Sequence, residues 1–485
     1  MLIVLFSLFP MACGLGLLLV KNRTAREMCA FVAACVTTGL VGWLFSNGGG
    51  DRLELFRLTE DFVCALRLDG AGKVYLGLAA VLWPLSVLFA VEYMRHEKRE
   101  GRFFSWYIGA YGVVILLSAA ENLFTLYIFY ELLTLCTVPL VWHERNEESG
   151  KAALTYMLYL IGGAALGLLS VMLLPSALKD GVAFQLGGSA LLRPEAADFC
   201  GWIVLMGFVG FGVKAAVLPL CRWLPKASVA PTPVTALLHA VAVVNAGVFA
   251  VLRLLYYVVP AEAVAGTWAQ TAMLLLSGAT VIYGAARAVR EQHVKRRLAW
   301  STVSNLSYML LGLALLTPRG MAAGLSHMVF HGLTKIILFF CAGAALTQTG
   351  RTDLKQMQGL GRAMPLTFGC FALAGVSLAG VPPLAGFVSK YALAEAAFRQ
   401  GSPAAIFGAV ALLISAVLTC VYIFTVVYPA FFMKLNQAPG ERVPRDPGPC
   451  MKAALLGLAL LLILSSVFAG RIMSALTLLS EGGLA

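Results

Sequence analysis

Seven ionisable residues stand inside runs of sequence that are otherwise apolar: Glu131, Lys214, His239, His327, His331, Lys335 and Lys390. A charge at bilayer mid-depth costs about 2.5–3.5 kcal/mol on insertion scales, so such side chains persist where they pair, line water or carry an ion. Glu131, in LFTLYIFYELLTL, lies about ten residues into its run, which is mid-membrane at 1.5 Å per residue. It is a protonatable carboxylate, and Lys214 is its expected partner. A Lys–Glu pair that forms and separates swings the lysine between two proton affinities, which suits a pump; a static buried ion pair is the structural alternative. His239, in TPVTALLHAVAVVNAG, can relay a proton between its two ring nitrogens or simply pack in a core. His327, His331 and Lys335 follow one another at i, i+4 and i+8 and so share one helix face, a pattern that packing alone explains poorly. Two histidines at this spacing can bind zinc, but the HExxH glutamate and a third ligand are missing, so no metal is expected. Lys390 lies seven residues past Pro383, within the bilayer unless its amine snorkels to the interface.

Only membrane-spanning helices can hold such residues in that setting. The 485 residues are 60% apolar and 12% charged, against about 45–50% and about 25% in soluble domains. The mean hydropathy is +0.84. A soluble globular protein and a disordered chain are both excluded. Apolar runs long enough to span occur near 2–20, 28–46, 71–93, 104–120, 122–142, 152–175, 200–221, 231–258, 268–286, 298–316, 321–347, 364–397, 404–433 and 453–478. The expected fold is therefore an all-α polytopic membrane protein with about fourteen transmembrane helices, not a barrel, whose strands would alternate over roughly ten residues. No hydrophilic segment is large enough for a soluble catalytic domain.

The net charge of +12 is explained by topology. With the N-terminus outside, 23 of the 36 Lys and Arg fall in inside loops, 9 in outside segments, and four (Lys214, Arg253, Lys335, Lys390) within spans. This positive-inside bias puts both termini outside and removes the case for nucleic-acid binding. The first run lacks a basic n-region and an A-x-A-like site, so it is expected to be an anchor, not a cleaved signal. The eleven cysteines are scattered without a C-x-x-C, which excludes an iron–sulfur or structural zinc site in this chain. No nucleophile constellation or phosphate loop is present, so neither an active site nor a cofactor is expected here.

Two runs carry helix breakers. GFVGFGVKAAVLPL contains Gly212 and Pro219 ahead of and behind Lys214; GVSLAGVPPLAGFVSK contains Gly380, Pro382 and Pro383 ahead of Lys390. The two runs, seventh and twelfth, are five spans apart, and an odd offset reverses direction across the membrane. Paired Gly/Pro-interrupted spans point to a transport site at an inverted repeat. The expected organisation of the single membrane domain, 1–485, is three N-terminal helices (1–103), a first repeat of helices 4–8 (104–258), a second of helices 9–13 (259–434), and a loop with helix 14 (435–485). Lys226, Lys295 and Arg253 are candidates either for lining a path to the surface or for anchoring helices, with Arg253, one turn from the end of its run, expected to be an anchor, while Glu121, Asp69, His96, His143 and His293 are expected near the interfaces.

Five stretches (ENLFTLYIFYELLTL, KAAVLPLCRWLPKASVAPTPVTALLHA, KRRLAWSTVSNLSYM, HMVFHGLTKIILFF and LAGVPPLAGFVSKY) carry a family resemblance. The chain resembles the antiporter-like membrane subunits shared by respiratory complex I, Mrp-type cation/proton antiporters and energy-converting membrane hydrogenases. The resemblance implies fourteen helices, breaks in helices 7 and 12, a five-plus-five inverted repeat, and proton-translocating roles for Glu131, Lys214, His239, His331, Lys335 and Lys390. A lysine at 390, where others have glutamate, is similar to the D-type component of the Mrp antiporters and to some complex I components. Departures lie at Cys221 and Lys226, where many relatives have histidine and aspartate, and at Asn245, near a second central lysine of some relatives.

The expected function is proton translocation in a multisubunit complex of the cytoplasmic membrane, alongside other membrane subunits including further antiporter-like ones. Redox chemistry in electron-transfer partners with iron–sulfur clusters would drive it. The alternatives are an Mrp-type antiporter exchanging Na⁺ for H⁺ without redox chemistry, and a non-pumping structural subunit.

Overall fold

Short polar loops cap the apolar runs and set where each helix starts. Asn22, Asp69, Asn122 and Asn146 accept hydrogen bonds from backbone N–H groups three residues on, and Pro318, Pro365, Pro403 and Pro449 occupy first turns, where a missing N–H costs nothing. The computed structural model describes residues 1–48, 51–59, 62–178, 183–188, 192–193, 197–435 and 443–482. Parts of the predicted loops at 47–70, 176–199 and 434–452 lie outside these residues.

The helices are α1 (Leu2–Leu17), α2 (Arg23–Ser46), α3 (Gly70–Tyr93), α4 (Glu100–Ser118), α5 (Leu123–Val141), α6 (Glu147–Ala177), α7 (Ala197–Gly212), α8 (Trp223–Lys226), α9 (Thr232–Ala240), α10 (Val243–Arg253), α11 (Trp268–Arg290), α12 (Val294–Ala314), α13 (Pro318–Thr349), α14 (Leu360–Ala363), α15 (Pro365–Ala379), α16 (Ala385–Gln400), α17 (Pro403–Phe432), α18 (Pro449–Val467) and α19 (Ala469–Ser480). The predicted loop 47–70 folds into a short antiparallel hairpin, Leu53–Arg57 with Val63–Leu66.

Among the described residues, ten helical stretches are long and apolar enough to cross a membrane: α2 to α6, α9 with α10, α11, α13, α17 and α18. The chain is a polytopic all-helical membrane protein. The other four predicted runs coincide with α1, α7 and α15, which are shorter, and with α12. Helix α12 is polar on the inside: Lys295, Arg297, Ser301, Ser304, Asn305 and Ser307 are all buried. It faces protein, which explains how so polar a helix is accommodated.

The stretch Thr232–Val258 is wholly buried and forms the centre with α12 and α13. Close helix contacts rest on glycine; a Cβ on Gly210 of α7 would lie 2.4 Å from the Gly167 nitrogen of α6. Two details depart from the predicted runs. The run 231–258 is broken between α9 and α10. The run 453–478 is interrupted at Phe468, between α18 and α19.

Candidate functional site

Helix α7 ends at Gly212, and the segment 213–222 is a series of turns containing a cis Leu218–Pro219 bond. Lys214 sits at its start and is fully buried. Its Nζ lies 3.9 Å from Glu131 Oε1 on α5, so the predicted pair is assembled. The same ammonium donates to the Tyr130 carbonyl and lies 3.3 Å from the centroid of the Tyr130 ring. Thr134 Oγ1 donates to Glu131 Oε1 at 3.3 Å.

His239 is in the last turn of α9, fully buried, with its ring centroid 4.9 Å from that of Phe339 on α13. Neither ring nitrogen has a hydrogen-bond partner among the described residues. The helix stops one residue later. Asn245 Nδ2 donates to the Ala240 carbonyl at 2.9 Å, and Tyr75 Oη donates to the Ala242 carbonyl at 2.8 Å. Asn245, which the sequence places on another face from His239, therefore caps this break.

His327, His331 and Lys335 do share a buried face of α13. The two imidazole centroids are 5.9 Å apart with their planes inclined by 29°. His327 contacts Ser389 Oγ through Nδ1 at 2.9 Å and Asn305 Oδ1 through Nε2 at 3.2 Å. Both nitrogens are thus engaged. His331 has no hydrogen-bond partner among the described residues. Lys335 donates to the Leu298 carbonyl at 3.1 Å and to Ser301 Oγ, both on α12. Phe339, which touches His239, is one turn beyond Lys335 on α13.

Gly380 follows α15 in the left-handed region (φ 87°), and Pro382 and Pro383, joined by a cis bond, fill the turn before α16. Lys390 on α16 reaches back into this turn and donates to the carbonyls of Leu378 (2.6 Å) and Ala379 (3.3 Å). It satisfies the carbonyls the interruption frees, so its amine does not snorkel outward. Its Nζ is 5.4 Å from the Tyr308 ring, and that ring is 5.2 Å from His327. A cavity of about 10 Å³, room for about one water, lies between His327, His331, Ser377 and Lys390.

A far larger cavity, about 790 Å³, opens among the loop ends and includes Glu97, Glu144, Lys226, Ser228, Lys295 and Trp300. Lys295, in the first turn of α12, donates to the Ala230 carbonyl at 2.8 Å. Its neighbour one turn on, Leu298, is the acceptor for Lys335. Lys226 and Lys295 therefore line an opening, as the sequence allows, while Arg253 stands apart in the anchoring position expected of it. Arg253 forms two 2.5 Å bonds to Asp69 and is enclosed by Phe184, Phe249 and Tyr257 at 4.4–4.8 Å. Glu121 pairs with Arg52 at 2.7 Å. His143 bonds the Lys98 carbonyl at 2.8 Å and His293 caps α12. In the loops, burial holds the His143 imidazole at about 4, with Arg102 and Arg99 acting in the same sense against the Lys98 bond. Burial also raises the Glu97 carboxyl, reinforced by Glu144 and opposed by Lys295.

The side chains that hold Lys214, His327, Lys335 and Lys390 are not evident as chemistry in the sequence: Tyr130, Ser301, Asn305, Tyr308 and Ser389. One signal is present, since Ser301, Asn305 and Tyr308 recur at i, i+4 and i+7 in KRRLAWSTVSNLSYM and so form one polar stripe.

Residues 120–419 match the family described as NADH:quinone oxidoreductase/Mrp antiporter, transmembrane. The chain is similar to NADH-quinone oxidoreductase subunit L of Mycobacterium tuberculosis, with 30% identity over 469 residues, 96% of this chain and 69% of that protein. It is also similar to NADH-quinone oxidoreductase subunit N of Desulforudis audaxviator, with 33% identity over 386 residues, 77% of this chain and 73% of that protein. Its fold matches a chain of the membrane-bound sulfane sulfur reductase, an archaeal respiratory membrane complex, with a TM-score of 0.84 at 22% identity, covering 99% of this chain and 97% of that one.

Proposed function

We propose, from the premise that this chain belongs to the NADH:quinone oxidoreductase/Mrp antiporter transmembrane family, that it is a proton-translocating subunit of a multisubunit membrane complex. The carrying observation is the row of ionisable groups among the helices, partly buried Glu131 with buried Lys214, then His239, then His331 with Lys335, then His327 with partly buried Lys390. In this reading there are fourteen spans, α7 with α8 and α15 with α16 are spans seven and twelve, each interrupted, and spans 4–8 and 9–13 form an inverted repeat. Two lysines at the two interruptions then stand at corresponding places.

Protons enter near Glu131 and Lys214, pass His239 to Lys335, and leave by Lys390 on the opposite face. Histidines whose nitrogens have no fixed partner can take a proton on one nitrogen and release it from the other. Lysines that lean on carbonyls and hydroxyls are stabilised when charged without a permanent counter-charge, so that a shifted neighbour can displace the proton. The large cavity is the opening to the inside face, which carries the basic loops; Lys295 at its wall is one turn from the Lys335 site.

Moving one charge against about 150 mV costs about 3.5 kcal/mol, so partners must supply energy. The relatives' names bring redox coupling in electron-transfer subunits to this chain as the first reading. An Mrp-type cation/proton antiporter is the second, supported by the scope of the family description. Proton uptake by everted membrane vesicles tests the common claim: Lys214→Ala abolishes uptake while the complex still assembles. Unchanged uptake would leave only a structural subunit.

A further inference from the structure

The Lys214 ammonium is closer to the Tyr130 ring than to the carboxylate it is paired with. It lies 3.3 Å from the ring centroid and 3.9 Å from Glu131 Oε1, and it donates its proton to the Tyr130 carbonyl. A desolvated ammonium over an aromatic face is held electrostatically by the ring, at a strength comparable to a poorly aligned ion pair. The ring itself is fixed from the far side. Tyr130 Oη donates to the Phe211 carbonyl at 2.9 Å, and the two rings meet edge to face at 5.5 Å. Phe211 is in the last turn of α7, three residues before Lys214. Tyr130 thus ties α5 to the end of the helix that delivers the lysine.

The same device recurs at the other interruption. Lys390 Nζ is 5.4 Å from the Tyr308 ring, with Lys390 beyond the break between α15 and α16 and Tyr308 on α12. In span order the first tyrosine is on span five and its lysine on span seven; the second tyrosine is on span ten and its lysine on span twelve. Yet the residue after Tyr130 is Glu131, and the residue after Tyr308 is Met309. The ring is kept at both places and the carboxylate only at the first, so the ring has a role separate from the ion pair.

We infer that Tyr130 is a positioning residue: its ring and carbonyl form a seat that holds the Lys214 ammonium off Glu131 and so keeps the pair open. This deepens the proposed function and rests on it. Without the seat, Lys214 closes onto Glu131 and the pair stops cycling.

The test is proton uptake by everted vesicles carrying the whole complex, normalised to assembled complex. Tyr130→Met, which fills much of the volume without a π face, is expected to lower uptake on the order of tenfold, the effect of losing a desolvated cation–π contact. Tyr130→Phe keeps the face and is expected to stay within about twofold of the native chain. Adding Glu131→Asp to Tyr130→Met draws the carboxylate back and is expected to restore uptake, which simple repacking would not do. The seat is refuted if Tyr130→Phe is as impaired as Tyr130→Met, or if Glu131→Asp makes the Met variant worse. Should Tyr130→Met fail to assemble, Tyr130→Phe with Tyr130→Trp decides: both retain uptake if the ring face matters, and loss in both overturns the seat. Glu131→Gln alone separates the two levels, because native uptake in that variant would sink the proposed function and not merely the seat.

Discussion

At the scale of single residues, the buried charges fall into two kinds, distinguished by how completely they are neutralised. Arg253 and Asp69 are joined by two 2.5 Å bonds, and three rings close over the guanidinium. A pair so complete has no reason to open, and breaking a buried pair from one side costs about 3–5 kcal/mol. Asp69→Asn is therefore expected to lower the apparent melting temperature of the detergent-solubilised chain markedly; a variant that melts with the native chain would show the pair to be dispensable. Lys214, Lys335 and Lys390 are the other kind, resting on carbonyls, a hydroxyl and rings, with Lys214 also loosely paired to Glu131 at 3.9 Å. His143 gives a pH dependence. Its folded value of about 4 lies below its ordinary 6.5. Between these values the unfolded chain binds the extra proton, so this contribution is present above about pH 6.5 and lost as pH falls through about 4. Thermal unfolding across that window should show a shallower acid loss in His143→Gln, and identical slopes would contradict the assignment. The seven charges in apolar runs are legible from type and position. Their seats are not, because a tyrosine, serine or asparagine in an apolar run has many innocent uses, and only folding brings Tyr130 to Lys214 or Asn305 to His327.

At the scale of elements, interruptions decide where polar backbone becomes available inside the membrane. Two are legible, since Gly212 with Pro219 and Gly380 with Pro382–Pro383 are residues that helices avoid in their interiors. The third, between α9 and α10, is not. Ala240, Val241, Ala242 and Val243 contain no breaker, and the freed carbonyls are taken up by side chains, the nearby Asn245 and the distant Tyr75. Gly332 of α13 passes so near that a Cβ there would lie 2.9 Å from the Ala240 oxygen. Asn245→Ala leaves that buried carbonyl without its donor, at a cost of about 1–3 kcal/mol. The expected result is a lower apparent melting temperature together with reduced uptake, because His239 is in the turn that the cap terminates. Native values for both would show that the break forms without the asparagine. The interruption at Phe468 is hidden for a similar reason: apolar composition continues across it, and hydropathy does not register where one helix ends and the next begins.

At the scale of the whole molecule, composition alone determines the class, and charge placement predicts the topology. The fourteen predicted runs all contain helix, though only ten stretches reach spanning length and hydropathy among the described residues, since buried helices such as α12 can be polar. In the proposed topology, with the basic loops inside, the 790 Å³ cavity opens on the inside face. Cysteines introduced at Lys226 and at Arg471 should then react with impermeant maleimide from opposite sides of sealed vesicles; labelling from one side would reverse part of the topology. Purification in mild detergent followed by mass spectrometry separates the two energy sources. Electron-transfer subunits among the partners support redox drive, and small membrane subunits alone support cation/proton exchange.

Lys335 is the middle member of the proposed proton row, bonded to Leu298 and Ser301 on α12 and one turn from Phe339, which touches His239. The most direct measurement is proton uptake by everted vesicles containing fully assembled complex with Lys335→Met, a change that keeps the side chain's length and removes its charge. Uptake is expected to fall at least about tenfold, as for loss of a proton-transfer group worth about 10²–10⁴ in rate. Native uptake in a normally assembled Lys335→Met complex would contradict the account.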